Sequence, residues 1–169
     1  MKKLLPLFSV CALILAGCGY KAGSLMHPQI KTVAVAPVVN ETLTYNAAPQ
    51  VRALLCERFQ TDGSLKLVDE KKADCIVYAR IVDFKYTQIS WSNVVGDDEL
   101  LPNEWGVSVT VEYSVMIPGR AAPLISKRKA VGKTTFMSGP DLEVSRTNAI
   151  RQAAYDAAKK IVASVTESW

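Results

Sequence analysis

Three observations predict an α+β fold, a two-layer sandwich with two helices packed on one face of a mostly antiparallel four-stranded sheet. Two stretches carry apolar residues at helical spacing, one near residue 50 and one closing the chain. Between them, successive segments alternate with period two, as half-buried strands do. Pro118 and Gly119 occupy the two central positions favoured in a type II turn, which folds two of those segments back on each other.

The elements follow in order. Ile30 to Val39 (IKTVAVAPVV) is β-branched and almost continuously apolar, the pattern of a strand buried on both faces or lying centrally, with Pro37 marking its end. A polar connection, Asn40 to Asn46, leads to a helix over about 48–61. Pro49 suits its first turn, Val51, Leu54, Leu55 and Phe59 form its stripe, and Gly63 is placed to cap its end. Leu65 to Val68 is a short strand, followed by a charged turn. From Asp74, alternation puts Cys75, Val77, Ala79 and Ile81 on one face. Ile76, Tyr78, Arg80, Val82, Phe84 and Tyr86 fall on the other, which is richer in large apolar groups than a wet face. Thr87 to Glu104 reads as a long excursion whose acids, Asp97, Asp98 and Glu99, form a solvated tip. They lack the alternate ligand spacing of a calcium loop, so no metal is expected.

Val107, Val109, Val111, Tyr113 and Val115 alternate with polar residues and give the clearest strand of the chain. Leu124 to Met137 returns from the turn. Lys127, Lys129, Val131 and Lys133 lie on one face of that strand, and Arg128, Ala130, Gly132 and Thr134 on the other. Pro140 and Asp141 introduce the second helix, about 142–166, with Ile150, Ala153, Ala154, Ala157, Ile161 and Val165 as its stripe.

The N-terminus is an address. Lys2 and Lys3, an apolar run from Leu4 to Leu15 and the small residues Ala16 and Gly17 form an export signal ending at Cys18. The stretch Leu15–Cys18 has the form of a bacterial lipobox, so Cys18 is expected to become a lipidated N-terminus bearing three acyl chains; the alternatives are a secretory signal cleaved elsewhere and an uncleaved spanning helix, which normally needs about 20 apolar residues. Residues 1–17 are therefore removed signal, 18–29 a tether and 30–169 a single domain. Losing Lys2 and Lys3 takes the formal charge from +4 to +2, too even a balance to suggest nucleic acid. Cys56 and Cys75 are then the thiols left in an oxidising compartment, where they either pair or stay buried and inert.

No catalytic or cofactor chemistry emerges. Gly132, Lys133 and Thr134 imitate the end of a phosphate-binding loop, but the earlier glycine the motif needs is Lys127 and the setting is a strand. The sole histidine, His27, lies in the tether, so no Ser/His/Asp or Cys/His arrangement forms around it, and no CxxC pair is present. A non-enzymatic protein without cofactor is expected.

Several segments together resemble the lipopolysaccharide-assembly lipoproteins (LptE-like): Cys18, Gly19 and Tyr20; the first strand with Pro37 to Asn40; Ala73 and Asp74 opening the long strand; the Ile117 to Arg120 turn; and Tyr155 to Ala158 in the last helix. The first strand and helix also resemble activators of peptidoglycan synthases and CsgG-like secretion proteins. The resemblance implies an outer-membrane lipoprotein on the periplasmic side that plugs a large β-barrel partner, LptD, aids its assembly and contacts lipopolysaccharide. Gly19 after Cys18 agrees with outer-membrane sorting in such lipoproteins. Gly19 to Gln29 reaches at most about 40 Å, short for a synthase activator that must cross toward the peptidoglycan. For an anionic lipid the candidate contacts are Arg120, Lys127, Arg128, Lys129 and Lys133, although alternation sets Arg128 on the face opposite the lysines. The competing reading makes these lysines guards of a strand edge.

Overall fold

The computed structural model describes residues 29–93 and 100–167. The expected signal, the expected lipidation site at Cys18, His27 and the acids Asp97, Asp98 and Glu99 lie outside the described residues.

Strand β1 (Thr32–Val35) is followed by the two-residue β2 (Val39–Asn40), helix α1 (Ala47–Asp62) and the short β3 (Lys66–Leu67). A single 3₁₀ turn, Glu70–Lys72, leads to β4 (Cys75–Asn93), β5 (Leu100–Met116), β6 (Ile125–Met137) and helix α2 (Leu142–Glu167). Among the described residues the strands form one mixed sheet in the order β3-β1-β4-β5-β6, with β2 also paired to β4.

The expected four-stranded, mostly antiparallel sheet is thus corrected to six strands of mixed direction. The cause is α1. A helix lying on one face between two strands returns the chain to the end where it began, so β1 runs parallel to β3, and the connection through Glu70–Lys72 returns it again, so β4 is parallel to β1 too. The remaining long strands, joined by short turns, are antiparallel. The count rises because Pro37, which lacks an N–H, splits Ile30–Val39 into β1 and β2, and because the expected short strand of Leu65–Val68 joins the sheet as β3 at its edge.

Local chemistry fixes the joints. Asn40 holds the connection to α1: its Oδ1 accepts from the Thr42 N–H (3.0 Å) and hydroxyl (2.7 Å), and its Nδ2 donates to the Thr44 carbonyl (2.8 Å). Gly63, at φ 71°, ends α1 by donating to the Phe59 carbonyl. The Asp74 carboxylate accepts from the Lys31 N–H (3.0 Å), the Thr32 N–H (2.9 Å) and the Thr32 hydroxyl (2.8 Å), pinning the start of β1 beside that of β4. The expected type II turn is present, with the Arg120 N–H on the Ile117 carbonyl at 3.0 Å and Gly119 at φ 81°.

Both helices cover one face of the sheet. Val51, Leu55 and Phe59 from α1 and Ala153, Ala157, Ile161 and Val165 from α2 share one core with Val77, Ile81 and the inward valines of β5. α2 lies very close to β6: a Cβ built on Gly132 would stand 1.9 Å from the Ala153 carbonyl oxygen and 2.5 Å from the Ala157 nitrogen. That approach needs glycine on the strand and alanines on the helix.

Two expectations about β4 fail for one reason. A bulge at Val82 puts Asp83 opposite Thr110 one residue late, so the side-chain alternation inverts there. Phe84 and Tyr86, assigned by simple alternation to the second face, turn to the helix side and pack on the main core. The open face is therefore mostly polar, with a small apolar cluster of Ala34, Ala36, Ala73 and Ile76 at one end. The excursion assigned to Thr87–Glu104 is instead largely strand, because β4 and β5 stay paired as far as Asn93 and Leu100. Thr87, Gln88, Ile89 and Trp91 are all exposed, so this stretch of β4 does not alternate buried with exposed residues as a half-buried strand does.

Candidate functional site

The candidate site is the helix-free face of β4, β5 and β6. Strand register sets its rows. Arg80, Glu112 and Lys129 form one, Asp83, Thr110 and Val131 the next, and Lys85, Ser108 and Lys133 a third.

The first row is an electrostatic clasp. Glu112, whose side chain is only 13% exposed, takes Arg80 through Nε (2.9 Å) and Nη2 (2.8 Å) on its Oε1, and Lys127 approaches the same oxygen at 3.8 Å. Arg80 also reaches Glu41 through Nη1 at 3.0 Å, tying β4, β5, β6 and the loop after β2 together. These charges are largely spent on each other.

The third row differs. Adjacent strands are about 4.8 Å apart, so Lys85 and Lys133 flank Ser108 with Cα atoms roughly 10 Å apart. Lys85 stands 3.9 Å from Asp83, an exposed and weak pair, and among the described residues Lys133 has no acidic side chain within ion-pair distance of its ammonium. Beside this row lies a shallow hollow of about 540 Å³, lined by Thr87, Ile89, Ser108, Lys133 and Thr135 and floored at Gly106. A Cβ on Gly106 would meet Ile89 Cδ1 at 3.1 Å; its absence lets Ile89 lie across the neighbouring strand. The same end of the hairpin exposes Ile89, Trp91 and Met137. Flexible ammoniums and hydroxyls can together meet an anionic group, since lysine acts as a mobile point charge and hydroxyls both donate and accept.

The five basic residues singled out from sequence do not make one surface. Arg128 lies on the helix side, with Nη1 3.3 Å from the Ser164 hydroxyl of α2. Lys127 leans on Glu112. Arg120 sits at the turn that closes the opposite end of the β5–β6 hairpin from Met137. Lys129 and Lys133 remain on the open face, and Lys85, missed from sequence, joins Lys133. Register, which pairs Lys85 and Lys133 with the same Ser108, is the signal that finds it.

Cys56 and Cys75 are free thiols. Cys75 is fully buried, and burial, helped by the neighbouring Asp74 charge, pushes its pKa up to about 12. Cys56 is half-buried beside Val35, Leu67 and Val68, and burial raises its thiol too.

With this geometry, a family comparison matches residues 30–165 to the lipopolysaccharide-assembly model, LptE. The chain belongs to the LptE family. Comparison with curated proteins returns no match. Solved structures share the fold at low identity. A protein of Xanthomonas campestris superposes with TM-score 0.60 at 9% identity, covering 83% of this chain and 88% of that one. PelC of Paraburkholderia phytofirmans, a dodecamer, gives 0.52 at 14% identity, covering 86% and 94%. A hypothetical protein of Chlamydia trachomatis gives 0.51 at 16% identity, covering 81% and 96%. These likenesses establish a shared architecture around an LptE-family chain.

Proposed function

We propose that this LptE-family chain is a non-enzymatic, lipid-anchored partner of an LptD-like outer-membrane β-barrel, and that it receives lipopolysaccharide on the open face of its sheet. The family match over residues 30–165 is the observation that carries the reading. The lipobox at Leu15–Cys18 supports anchorage at the membrane, and Gly19 supports the outer one, with the domain on its periplasmic side. In this reading the row Lys85, Ser108, Lys133 meets phosphates of the glycolipid, and Ile89 borders its acyl region. Arg80, Glu112 and Lys127 serve as a brace that keeps the three strands in register rather than as contacts.

The test removes charge from the open row and from the brace separately. Lys85→Gln with Lys133→Gln is expected to weaken binding of purified lipopolysaccharide at least about ten-fold, the equivalent of roughly 1.4 kcal/mol. Co-purification with the barrel and the unfolding midpoint should hold. Arg120→Gln, at the distant turn, should bind as the parent does. Equal binding by the Lys85/Lys133 variant at the same ionic strength would overturn the lipid site, and loss of barrel co-purification from the parent itself would overturn the partnership.

A further inference from the structure

The two edges beside the long strands are finished differently. At the middle of β6 the edge is capped by α2: Lys160 Nζ donates to the Val131 carbonyl at 2.7 Å, and Asp156 Oδ2 accepts from the Lys133 N–H at 3.0 Å. Side chains there occupy the groups another strand would use.

At β4 the protection stops half-way. The Val77 carbonyl accepts from the Ala36 N–H and the Ile81 carbonyl from the Glu41 N–H, which marks the odd residues as facing β1 and β2. Beyond Ile81, among the described residues, no strand or side chain bonds this side of β4. Carried through the bulge at Val82, ladder alternation turns the N–H and C=O of Phe84, Tyr86 and Gln88 to the open side. The regular run between the bulges at Val82 and Ile89 is about 20 Å long.

A groove of about 720 Å³ runs along this edge. Phe84, Tyr86 and Ile150 line its helix side, and Arg146 of α2 stacks on the Tyr86 ring at 4.7 Å. The loop of Thr42–Tyr45 forms its wall. Leu43 is fully exposed and Tyr45 is 88% exposed, yet the Asn40 clamp on Thr42 and Thr44 fixes the loop that carries them. Large apolar side chains are thus held outward beside an unpaired strand.

We propose that this edge accepts an added β-strand from another protein, an extended segment with large apolar side chains at every second position. Unpaired N–H and C=O groups in strand register are matched by an extended backbone, not by a helix, a sugar or a lipid. The alternate side chains of such a strand would enter the groove between Phe84, Tyr86 and the Leu43–Tyr45 wall, and those between them would pass Asp83 and Lys85. A second copy of this chain fits less well. Antiparallel pairing about Phe84 would lay the copy's β4 onto β2 and the Thr42–Tyr45 loop, and pairing farther out would leave that wall uncovered.

The test uses the full lipoprotein in its native membrane, with the photoreactive residue p-benzoylphenylalanine in place of Tyr45. Illumination is expected to join it to a different protein, and mass spectrometry to map the attachment to a segment with alternating apolar residues. Gln88→Pro removes an outward N–H while leaving the β5 ladder intact, so adduct yield should fall about ten-fold with the unfolding midpoint unchanged. Gln88→Ser should keep the yield. Should Gln88→Pro fail to fold, Leu43→Asp repeats the test at a fully exposed position. Adducts unaffected by the substitutions, adducts only between two copies, attachment to residues 19–28 of the same chain, or no adduct would each overturn strand addition.

Discussion

Replacing Gly132 by alanine tests how α2 is seated. The added methyl would lie 1.9 Å from the Ala153 carbonyl oxygen, 2.5 Å from the Ala157 nitrogen and 2.9 Å from the Ala157 Cβ. Two of these three neighbours are backbone of the same helix and cannot swing aside. Reaching an ordinary contact requires α2 to lift from β6 by about 1.5 Å, loosening the packing of Ala153, Ala157 and Ile161 along its length. Overpacking a core costs about 1–3 kcal/mol, and a clash with backbone belongs at the top of that range. A loss of about 3 kcal/mol lowers the thermal midpoint of a domain this size by roughly 10 °C. Urea unfolding of the purified protein, with Gly106→Ala alongside, measures it. At Gly106 the methyl meets Ile89 Cδ1 at 3.1 Å, the end of a half-exposed side chain that can move, so that variant should stay within about 0.5 kcal/mol of the parent. Equal stability of Gly132→Ala and the parent would refute the close seating of the helix.

Three further outcomes are expected. Hydrogen bonds from the Lys31 N–H and the Thr32 hydroxyl hold the Asp74 carboxyl below its ordinary 3.8. Its contribution is present above that value and lost as pH falls through the lower folded one, so Asp74→Asn should be less stable at pH 7 yet lose part of the parent's acid sensitivity below pH 4, followed by acid unfolding. In the native protein at pH 8, maleimide should label half-buried Cys56 well before Cys75, with both reacting after denaturation; equal rates, or a mass showing an intact disulfide, would contradict the thiol environments. Intact mass of the membrane-extracted protein should begin at Cys18 with three acyl chains, and a soluble unmodified chain starting elsewhere would remove the anchor.

Features under local control were legible in the residues alone. Helical spacing placed α1 and α2 to within a residue or two, because each buries one continuous stripe. Pro118 and Gly119 specified the turn, because a positive φ at its third position favours glycine. The valines of β5 announced a strand with one buried face. Tertiary structure decided the rest. The direction of β1 depends on where α1 lies, which no periodicity records. The bulge at Val82 inverts alternation without any glycine or proline to mark it, so Phe84 and Tyr86 changed faces and the open face proved polar. Gly132, legible only as a failed phosphate loop, became the contact point of a helix and a strand far apart in the chain. Lys85 and Lys133 are neighbours because two hairpin registers bring them to the same serine, a pairing that one strand's pattern cannot contain.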